Sequence, residues 1–182
     1  MKVFRSRIGN RFSTSNGKEF RTFNSLTNQF NEEIYIEASL EDVHESVSLA
    51  RTAFFDFKNS TKLVRSRFLK EIANQLDNQR EKLVAQFVKE SSLSLERANN
   101  ELNRTIFQLE TFAEIAENDS WRAPSITNAT SATPDIRSCS EALGVVAVFG
   151  ASNFPFAYST IGGDSASAFA VGCPVIVKAH PM

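Results

Sequence analysis

Residues 143–180 constrain the fold of this chain more than any other segment. Residues 145–149 form a continuous apolar run, which is typical of a parallel strand covered on both faces. A turn containing Asn-Phe-Pro follows, and then an Ala-, Ser- and Gly-rich segment, 156–171, that predicts a helix. A second apolar strand covers residues 175–177 and is followed by Lys178. This order predicts a strand-helix-strand crossover of the kind that begins a nucleotide-binding parallel sheet.

Two glycines lie inside the predicted helix and one at its end. Gly162 and Gly163 fall within residues 156–171, where each would weaken a helix by about 1 kcal/mol relative to Ala. Such a cost is expected where the backbone must approach another group closely. Gly172 fits the end of the helix, and Pro174 fits the turn beyond it.

Four amphipathic helices are predicted upstream of this unit. They begin at about Ser39, Thr61, Glu81 and Ser94, and Ser39 with Asp42 resembles a capping box. Apolar residues recur at steps of three and four, as expected for one buried face on each helix. The predicted core positions are Val43, Val47, Ala50, Phe54, Phe57, Val64, Phe68, Ile72, Leu76, Leu83, Val84, Phe87, Val88, Leu95, Ala98, Leu102, Ile106, Leu109, Phe112 and Ala116.

Charged residues are predicted on the face of the fourth helix opposite its apolar stripe. Arg97, Glu101 and Arg104 are spaced by four and three residues, so they can form a ladder of ion pairs along one face. Together with Glu96 and Glu110, they predict a solvated outer face. Each such pair contributes only about 0.2–0.5 kcal/mol, and we assign these residues no chemistry.

The pattern divides the chain into four parts. Residues 1–38 predict an arm of short strands, 39–120 a helical part, 121–142 a loop or exposed hairpin, and 143–182 the start of the sheet. The predicted class is α/β, with a helical N-terminal half followed by the beginning of a Rossmann-like parallel sheet.

The net charge, the apolar runs and the cysteines indicate which kinds of partner and location to expect. The formal net charge is −1, whereas a nucleic-acid-binding protein normally carries a basic face, so we expect no nucleic-acid partner. The N-terminus has no signal-peptide pattern, and the apolar run 145–149 is too short to span a membrane. The 2 cysteines match neither a disulfide framework nor a metal cluster. These features predict a cytoplasmic protein.

The candidate site consists of the two turns that follow the predicted strands. Ligands of open α/β sheets bind beyond the carboxyl ends of the strands. Gly150, Ala151 and Ser152 are small enough to admit a ligand close to the backbone. Asn153 has two interpretations, an amide donor for a developing oxyanion or a cap for the following helix, and local spacing favours the cap.

The second turn holds Lys178 and His180. Lys178 is either a lysine whose stem lies along apolar surface or a donor to the ribose or phosphate of a nucleotide. His180 has no ligand-spaced partner, so we predict no metal site. Cys173 lies in apolar surroundings and is expected to be a buried, unreactive thiol. Neither G-x-G-x-x-G nor G-x-x-x-x-G-K-[ST] occurs, which argues against a stand-alone nucleotide-binding module.

The segment GVVAVFGASNFPFAYSTIGGDSASAFAVGCPVIVKAHP resembles the aldehyde dehydrogenase superfamily. In that family an Asn-Phe-Pro turn follows the first strand of the cofactor domain, and a Gly-x-x-Val-Ile-x-Lys pattern ends a strand. More narrowly, ASNFPFAYSTIGGD and GCPVIVKAHP are similar to the 2-oxoglutarate semialdehyde (2,5-dioxovalerate) dehydrogenases, with NADP-dependent fatty aldehyde dehydrogenases close by. The run ELNRTIFQLETFAEIAENDSW fits the same branch, and the similarity covers the chain from about Phe20.

The resemblance implies roles for particular residues. Asn153 would donate to the oxyanion of a thiohemiacetal, and Lys178 would hold the adenosine ribose or its 2′-phosphate. Pro181 stands where many NAD-preferring members have a Glu that repels a 2′-phosphate, so the implied cofactor is NADP, with NAD also allowed. The implied cofactor-binding positions are Phe149, Gly150, Ala151, Ser152, Lys178 and His180.

The resemblance also implies what the 182 residues lack. The family's nucleophilic Cys and general-base Glu lie downstream of this block, so we expect the N-terminal portion of a dehydrogenase, inactive by itself. The implied substrate is a small aldehyde, 2-oxoglutarate semialdehyde in this branch, and the implied assembly is a homo-oligomer that uses the hairpin. The alternative hypothesis is a non-catalytic remnant, or a fragment that docks on a partner.

Overall fold

The computed structural model describes residues 2–181, and its first part consists of short strands. These strands are β1 (Val3–Phe4), β2 (Arg7–Ile8), β3 (Arg11–Phe12), β4 (Glu19–Phe20), β5 (Phe23–Asn24), β6 (Gln29–Phe30) and β7 (Ile34–Ile36). Strand β7 is the centre of a three-stranded sheet, with β1 parallel to it on one side and β4 antiparallel to it on the other. Two hairpins, β2–β3 and β5–β6, accompany this sheet.

The four predicted helices are confirmed, as are three of their starts. They are α1 (Leu40–Lys58), α2 (Lys62–Asn78), α3 (Arg80–Ser91) and α4 (Leu95–Asn118). The side chains of Ser39, Thr61 and Ser94 each accept a hydrogen bond from a backbone N–H in the first turn of the helix that follows. These bonds satisfy donors that a helix leaves unpaired at its N-terminus.

The core lies along α4, which packs against α2 on one side and α3 near its beginning. Small side chains let the helices approach closely, and the alanines of the core are almost completely buried. The larger cluster joins Leu69, Ala73, Leu109, Ala113, Ala116, Ala166 and Ala170. The second joins Val84, Phe87, Ala98 and Leu102, with Phe156 packed against them.

The apolar stripes predicted on α1 and α2 are wrong in part. Val43 and Val47 are each 47% exposed, whereas Phe57 near the end of α1 packs against the rings of Phe68 and Phe169. On α2, Val64 and Phe68 are exposed, and the buried face is rotated by about one residue, to Arg65, Ser66, Leu69 and Ala73.

The rotation of α2 brings a buried arginine inward. Arg65 donates from Nε to the carbonyl of Ala170 at 3.0 Å and from Nη1 to the carbonyl of Ser60 at 2.5 Å. Burial lowers the pKa of this guanidinium, although Asp119 nearby opposes that effect. Polar partners therefore replace the aliphatic contacts that hydrophobic periodicity predicts for this face.

A hairpin and a parallel pair of strands follow the helices. After the 3-10 helix Ser120–Arg122 come β8 (Ser125–Thr127) and β9 (Ile136–Ser138), which pair antiparallel, as expected of a hairpin in 121–142. Strand β10 (Val146–Phe149), helix α5 (Gly163–Ala170) and strand β11 (Val175–Lys178) then form the crossover unit. The strands β10 and β11 are parallel neighbours, which confirms the predicted sheet start.

Helix α5 is half as long as predicted. The sequence predicts a helix over 156–171, but residues 155–161 form successive turns and α5 begins at Gly163 with Gly162 as its N-cap. A Cβ at position 162 would lie 2.1 Å from the carbonyl oxygen of Ala157. The close approach expected of these glycines is therefore made by Gly162, and it is to the chain's own backbone.

Within residues 2–181, no helix combines the length and the apolar character needed to cross a bilayer.

The capping box of α1 predicts an acid-sensitive contribution to stability. The Ser13 hydroxyl, and then the backbone N–H of Ser39, donate hydrogen bonds to Asp42 and lower its pKa below the ordinary 3.8. A lowered folded pKa stabilises the protein above the unfolded pKa, and that contribution is lost as the pH falls through the folded value. Asp42→Asn should therefore reduce the slope of unfolding free energy against pH below about pH 4 in urea titrations.

Ser13→Ala is the matched control for this prediction. It keeps the Asp42 carboxyl but removes its first donor, so the slope should fall between those of the wild type and Asp42→Asn. Identical slopes in all three proteins would contradict the assignment.

Candidate functional site

The carboxyl ends of β10 and β11 meet at one edge of the sheet. The parallel register pairs Phe149, the last residue of β10, with Lys178, the last residue of β11. Directly beyond them the backbone N–H of Gly150 donates to the carbonyl of Lys178 at 3.0 Å. The two turns that the sequence singles out therefore begin side by side.

Residues 151–158 form a closed turn, called here the 151–158 turn. The N–H of Ala151 donates to the carbonyl of Tyr158 at 2.8 Å, and the N–H of Tyr158 donates to the carbonyl of Phe154 at 3.1 Å. These bonds hold the ends of the turn together, so the residues between them project from a fixed base.

Asn153 lies in this turn with its side chain exposed. Its side-chain amide makes no hydrogen bond within residues 2–181, whereas its backbone carbonyl accepts one from Nη2 of Arg97 at 3.3 Å. The interpretation of Asn153 as a helix cap is wrong, since α5 starts ten residues later and is capped by Gly162. An exposed amide on a fixed turn is free to donate to a ligand.

Close backbone packing surrounds Gly150. A Cβ at this position would lie 3.1 Å from the backbone nitrogen of His180 and 3.2 Å from Oγ of Ser159. The two strand ends thus come within van der Waals distance of each other at a residue without a side chain. Beyond it, Ala151 is half-buried and Ser152 is exposed.

The remaining predicted site residues lie at the same edge. Phe149 is 72% exposed, Lys178 is exposed and His180 is half-buried. Cys173 lies two residues before β11 and is buried, as expected, and Cys139 is exposed after the β8–β9 hairpin. No group of three or more His, Cys, Asp or Glu side chains converges as a metal site among residues 2–181.

Glu101 is the residue of this region that the sequence analysis misassigns. Its side chain is 2% exposed, although we expect it on the solvated face of α4. One carboxylate oxygen, Oε1, accepts hydrogen bonds from the backbone N–H groups of Phe156 at 2.8 Å and Ala157 at 3.1 Å. The other oxygen, Oε2, lies 3.3 Å from Nε of Arg97. Both oxygens are therefore engaged, and the carboxylate holds the second half of the 151–158 turn.

Two arginines of α4 cover the outside of the same turn. The guanidinium of Arg97 lies 4.5 Å from the ring centre of Phe154, within the range of a cation–π contact. Arg104 donates from Nη2 to the hydroxyl of Tyr158 at 2.8 Å. The three residues that the sequence predicts to form a ladder on the solvated face thus contact the turn.

A signal for the burial of Glu101 is present in the sequence. Glu101 follows Ala98 by three residues and precedes Thr105 and Leu109 by four and eight, which is the period of the buried face. All three of those residues are 0% exposed. A single charged residue within an apolar stripe indicates a buried carboxylate with partners, because an unpaired buried charge is costly.

The aldehyde dehydrogenase family model matches residues 12–182. The chain belongs to the aldehyde dehydrogenase family. The match includes the four helices, the hairpin and the crossover unit, and it confirms the resemblance carried by the Asn-Phe-Pro turn and the strand-terminal Lys178.

Curated relatives agree with the branch that the turn residues indicate. Alpha-ketoglutaric semialdehyde dehydrogenase 2 of Azospirillum brasilense is 42% identical over 148 residues, covering 79% of this chain and 28% of the relative. Alpha-ketoglutaric semialdehyde dehydrogenase of Acinetobacter baylyi is 34% identical over 186 aligned positions, covering 92% and 35%. The chain thus spans about a third of the length of these relatives, as expected for one portion of a dehydrogenase.

Solved structures share the fold. The structure of 3,6-anhydro-L-galactose dehydrogenase in complex with NAP superposes with a TM-score of 0.86 at 22% identity, covering 97% of this chain and 36% of that one. An NAD-dependent benzaldehyde dehydrogenase from Corynebacterium glutamicum gives 0.82 at 23% identity, covering 96% and 37%. These likenesses confirm the α/β fold class.

Proposed function

We propose that this chain supplies the oxyanion donor and the first cofactor contacts of an NADP-dependent aldehyde dehydrogenase. The observation that carries the proposal is the meeting of two turns at one sheet edge. One turn exposes the amide of Asn153, which makes no hydrogen bond within residues 2–181, and the other exposes the ammonium of Lys178.

The reaction we propose is the oxidation of an aldehyde to its acid. A Cys thiolate outside these residues adds to the aldehyde carbon, and the carbonyl oxygen becomes the oxyanion of a thiohemiacetal. The amide N–H of Asn153 donates to that oxygen, where a donor is typically worth about 2.7–4 kcal/mol in the transition state. Loss of a hydride from the same carbon leaves a thioester, and a Glu outside these residues then activates the water that hydrolyses it to the acid and frees the thiol.

The residues present fit a dinucleotide. NADP, when bound, accepts the hydride and so supplies the oxidising chemistry. Gly150, which has no side chain, lets the two strand ends lie close together, and the Lys178 ammonium is exposed beside it and able to donate to a ribose hydroxyl or a phosphate. Phe149, Ala151, Ser152 and His180 are the remaining positions we assign to cofactor binding.

The names of two relatives support the substrate that we assign. Both are alpha-ketoglutaric semialdehyde dehydrogenases, so we assign a small oxo-acid aldehyde as substrate. We also assign a cytoplasmic setting, as the sequence predicts. The β8–β9 hairpin exposes Ile126 and Ile136, and we assign it to contacts between identical subunits. Light scattering of the complete protein tests this assembly, and a monomer would contradict it.

Turnover of the complete protein, expressed from its gene to the natural stop codon, tests the function. We expect it to reduce NADP with 2-oxoglutarate semialdehyde. Pro181→Glu should raise the KM for NADP by about 10- to 100-fold, because the new carboxylate repels the 2′-phosphate, and should leave the KM for NAD within about twofold.

Two results would contradict the proposal in different ways. A protein that turns over no short oxo-acid aldehyde, and gives no calorimetric signal with NADP, is a non-catalytic remnant. Equal effects of Pro181→Glu on NADP and NAD would instead leave the dehydrogenase function intact and overturn the assignment of Pro181 to the 2′-phosphate side.

A further inference from the structure

Side chains of helix α4 form hydrogen bonds with the 151–158 turn at both ends of its Asn-Phe-Pro segment. On one side the Glu101 carboxylate accepts two backbone N–H groups, those of Phe156 and Ala157. On the other side Arg97 donates to the carbonyl of Asn153 and lies over the ring of Phe154. Arg97 and Glu101 also bond to each other, so the two contacts form one connected unit.

The ion pair between Arg97 and Glu101 contributes less to holding the turn than the hydrogen bonds that Glu101 accepts from its backbone. Its arginine side is 42% exposed and therefore screened by solvent, so the attraction between the two charges contributes little by itself. The hydrogen bonds that the carboxylate accepts from the backbone N–H groups of Phe156 and Ala157 are charge-assisted, which makes them about twice as strong as neutral ones.

The turn has few other contacts that fix its backbone. The backbone–backbone bonds of residues 151–158 join Ala151 to Tyr158, Tyr158 to Phe154, and the Ala157 carbonyl to the N–H of Gly163, so none of them uses the N–H of Phe156 or Ala157. Phe156 packs with its ring centre 4.9 Å from that of Phe87, which holds the side chain in the core but leaves the peptide planes to hydrogen bonding. Glu101 is the hydrogen-bond acceptor for the N–H groups of two of these peptides, those of Phe156 and Ala157, directly after Pro155.

We propose that Glu101, together with Arg97, is a positioning residue that sets where the Asn153 amide points. The proposal rests on the function proposed above, in which that amide donates to the oxyanion. Glu101 takes no part in proton transfer, because both of its oxygens are already engaged and its side chain is buried. It acts through the backbone on either side of Asn153.

The first test measures the turn directly and needs no activity. Glu101→Ala should raise the amide hydrogen-exchange rates of Phe156 and Ala157 by about 10- to 100-fold in this chain, because each N–H loses a charged acceptor. Glu101→Gln keeps one acceptor oxygen and similar volume, so it should give a smaller increase. The Gln variant also preserves the test if the Ala variant does not fold.

Glu117→Ala is the matched control on the same helix. Glu117 also accepts two hydrogen bonds, from the Ser66 hydroxyl and the Lys70 ammonium, but it contacts α2 rather than the turn. The control should leave the exchange of Phe156 and Ala157 within about twofold of the wild type. Equal exchange at these amides in Glu101→Ala, Glu117→Ala and the wild type would overturn the proposal.

The second test separates positioning from stability in the complete protein. A misplacement of about 1 Å can cost about 10²-fold in rate, so Glu101→Ala should lower kcat by 10- to 100-fold with the KM for aldehyde nearly unchanged. In an Asn153→Ala background the same substitution should lower kcat by less than about threefold, because the misplaced donor is already absent.

Each result bears on one of the two proposals. Full additivity of Glu101→Ala with Asn153→Ala, or a kcat loss no greater than that of Glu117→Ala, would show a merely structural role. Faster exchange at Phe156 and Ala157 in a complete protein that has no turnover would instead contradict the dehydrogenase function while supporting the contact that holds the turn.

Discussion

Replacing Asn153 by Ala should lower kcat of the complete protein by about 10²- to 10³-fold while the 182-residue chain unfolds at an unchanged temperature. The two halves of this result have one cause. The side-chain amide makes no hydrogen bond within residues 2–181, so the fold loses little when the amide is removed. The transition state loses a donor at the oxygen where negative charge develops. Steady-state kinetics and thermal unfolding measure the two halves.

Asn153→Asp sharpens this prediction. The Asp side chain has nearly the same shape but lacks an N–H donor and brings a negative charge, so the loss of kcat should be at least as large as in Asn153→Ala. Asn74→Ala, which changes an exposed Asn on α2, should leave kcat within about twofold of the wild type. Wild-type kcat in Asn153→Asp would remove Asn153 from the oxyanion site.

The second large effect is expected from Gly162→Ala. The new Cβ would lie 2.1 Å from the carbonyl oxygen of Ala157 and 2.4 Å from its carbonyl carbon, so backbone must move. That movement also strains the bond from the N–H of Gly163 to the same carbonyl, which is 3.0 Å long. We expect a loss of about 3 kcal/mol, and hence a fall in Tm of roughly 6–12 °C in calorimetry.

Gly163→Ala is the control one residue away. Its Cβ would lie 3.3 Å from Nε2 of Gln108, at the flexible end of a side chain that can shift. Ala is also favoured over Gly by about 1 kcal/mol within a helix, so this variant should stay within about 1 kcal/mol of the wild type. Equal unfolding temperatures for the two variants would show that the turn before α5 adapts to a side chain at position 162.

The elements of the fold that local chemistry specifies could be predicted from the sequence. Ser39, Thr61 and Ser94 each mark a helix start by a cap that lies within three residues of the N–H it binds. The apolar runs at 145–149 and 175–177 become the parallel pair β10 and β11, because a short apolar run is typical of a strand in a parallel sheet.

Where the predictions are wrong, contacts that hydrophobic periodicity does not describe decide the outcome. The extent of α5 is set by the contact of Gly162 with the Ala157 carbonyl, and residues 156–162 therefore turn although their composition suits a helix. The buried face of α2 is rotated because Arg65 finds its acceptors at Ser60 and at Ala170, the latter in α5. Hydrophobic periodicity contains no information about either partner.

The sequence by itself determined the family, the helices, the hairpin and the two strands whose ends carry Asn153 and Lys178, because caps, turn residues and apolar runs act over a few neighbouring residues. Only the tertiary structure decided which face of each helix is buried and that Glu101 holds the turn around Asn153. The bonds from Phe156 and Ala157 to Glu101 join residues 55 and 56 positions apart. From the sequence alone, a carboxylate on an amphipathic helix could either be hydrated or accept hydrogen bonds from another part of the chain. For Glu101 the choice is made when the helix packs against the turn and excludes water.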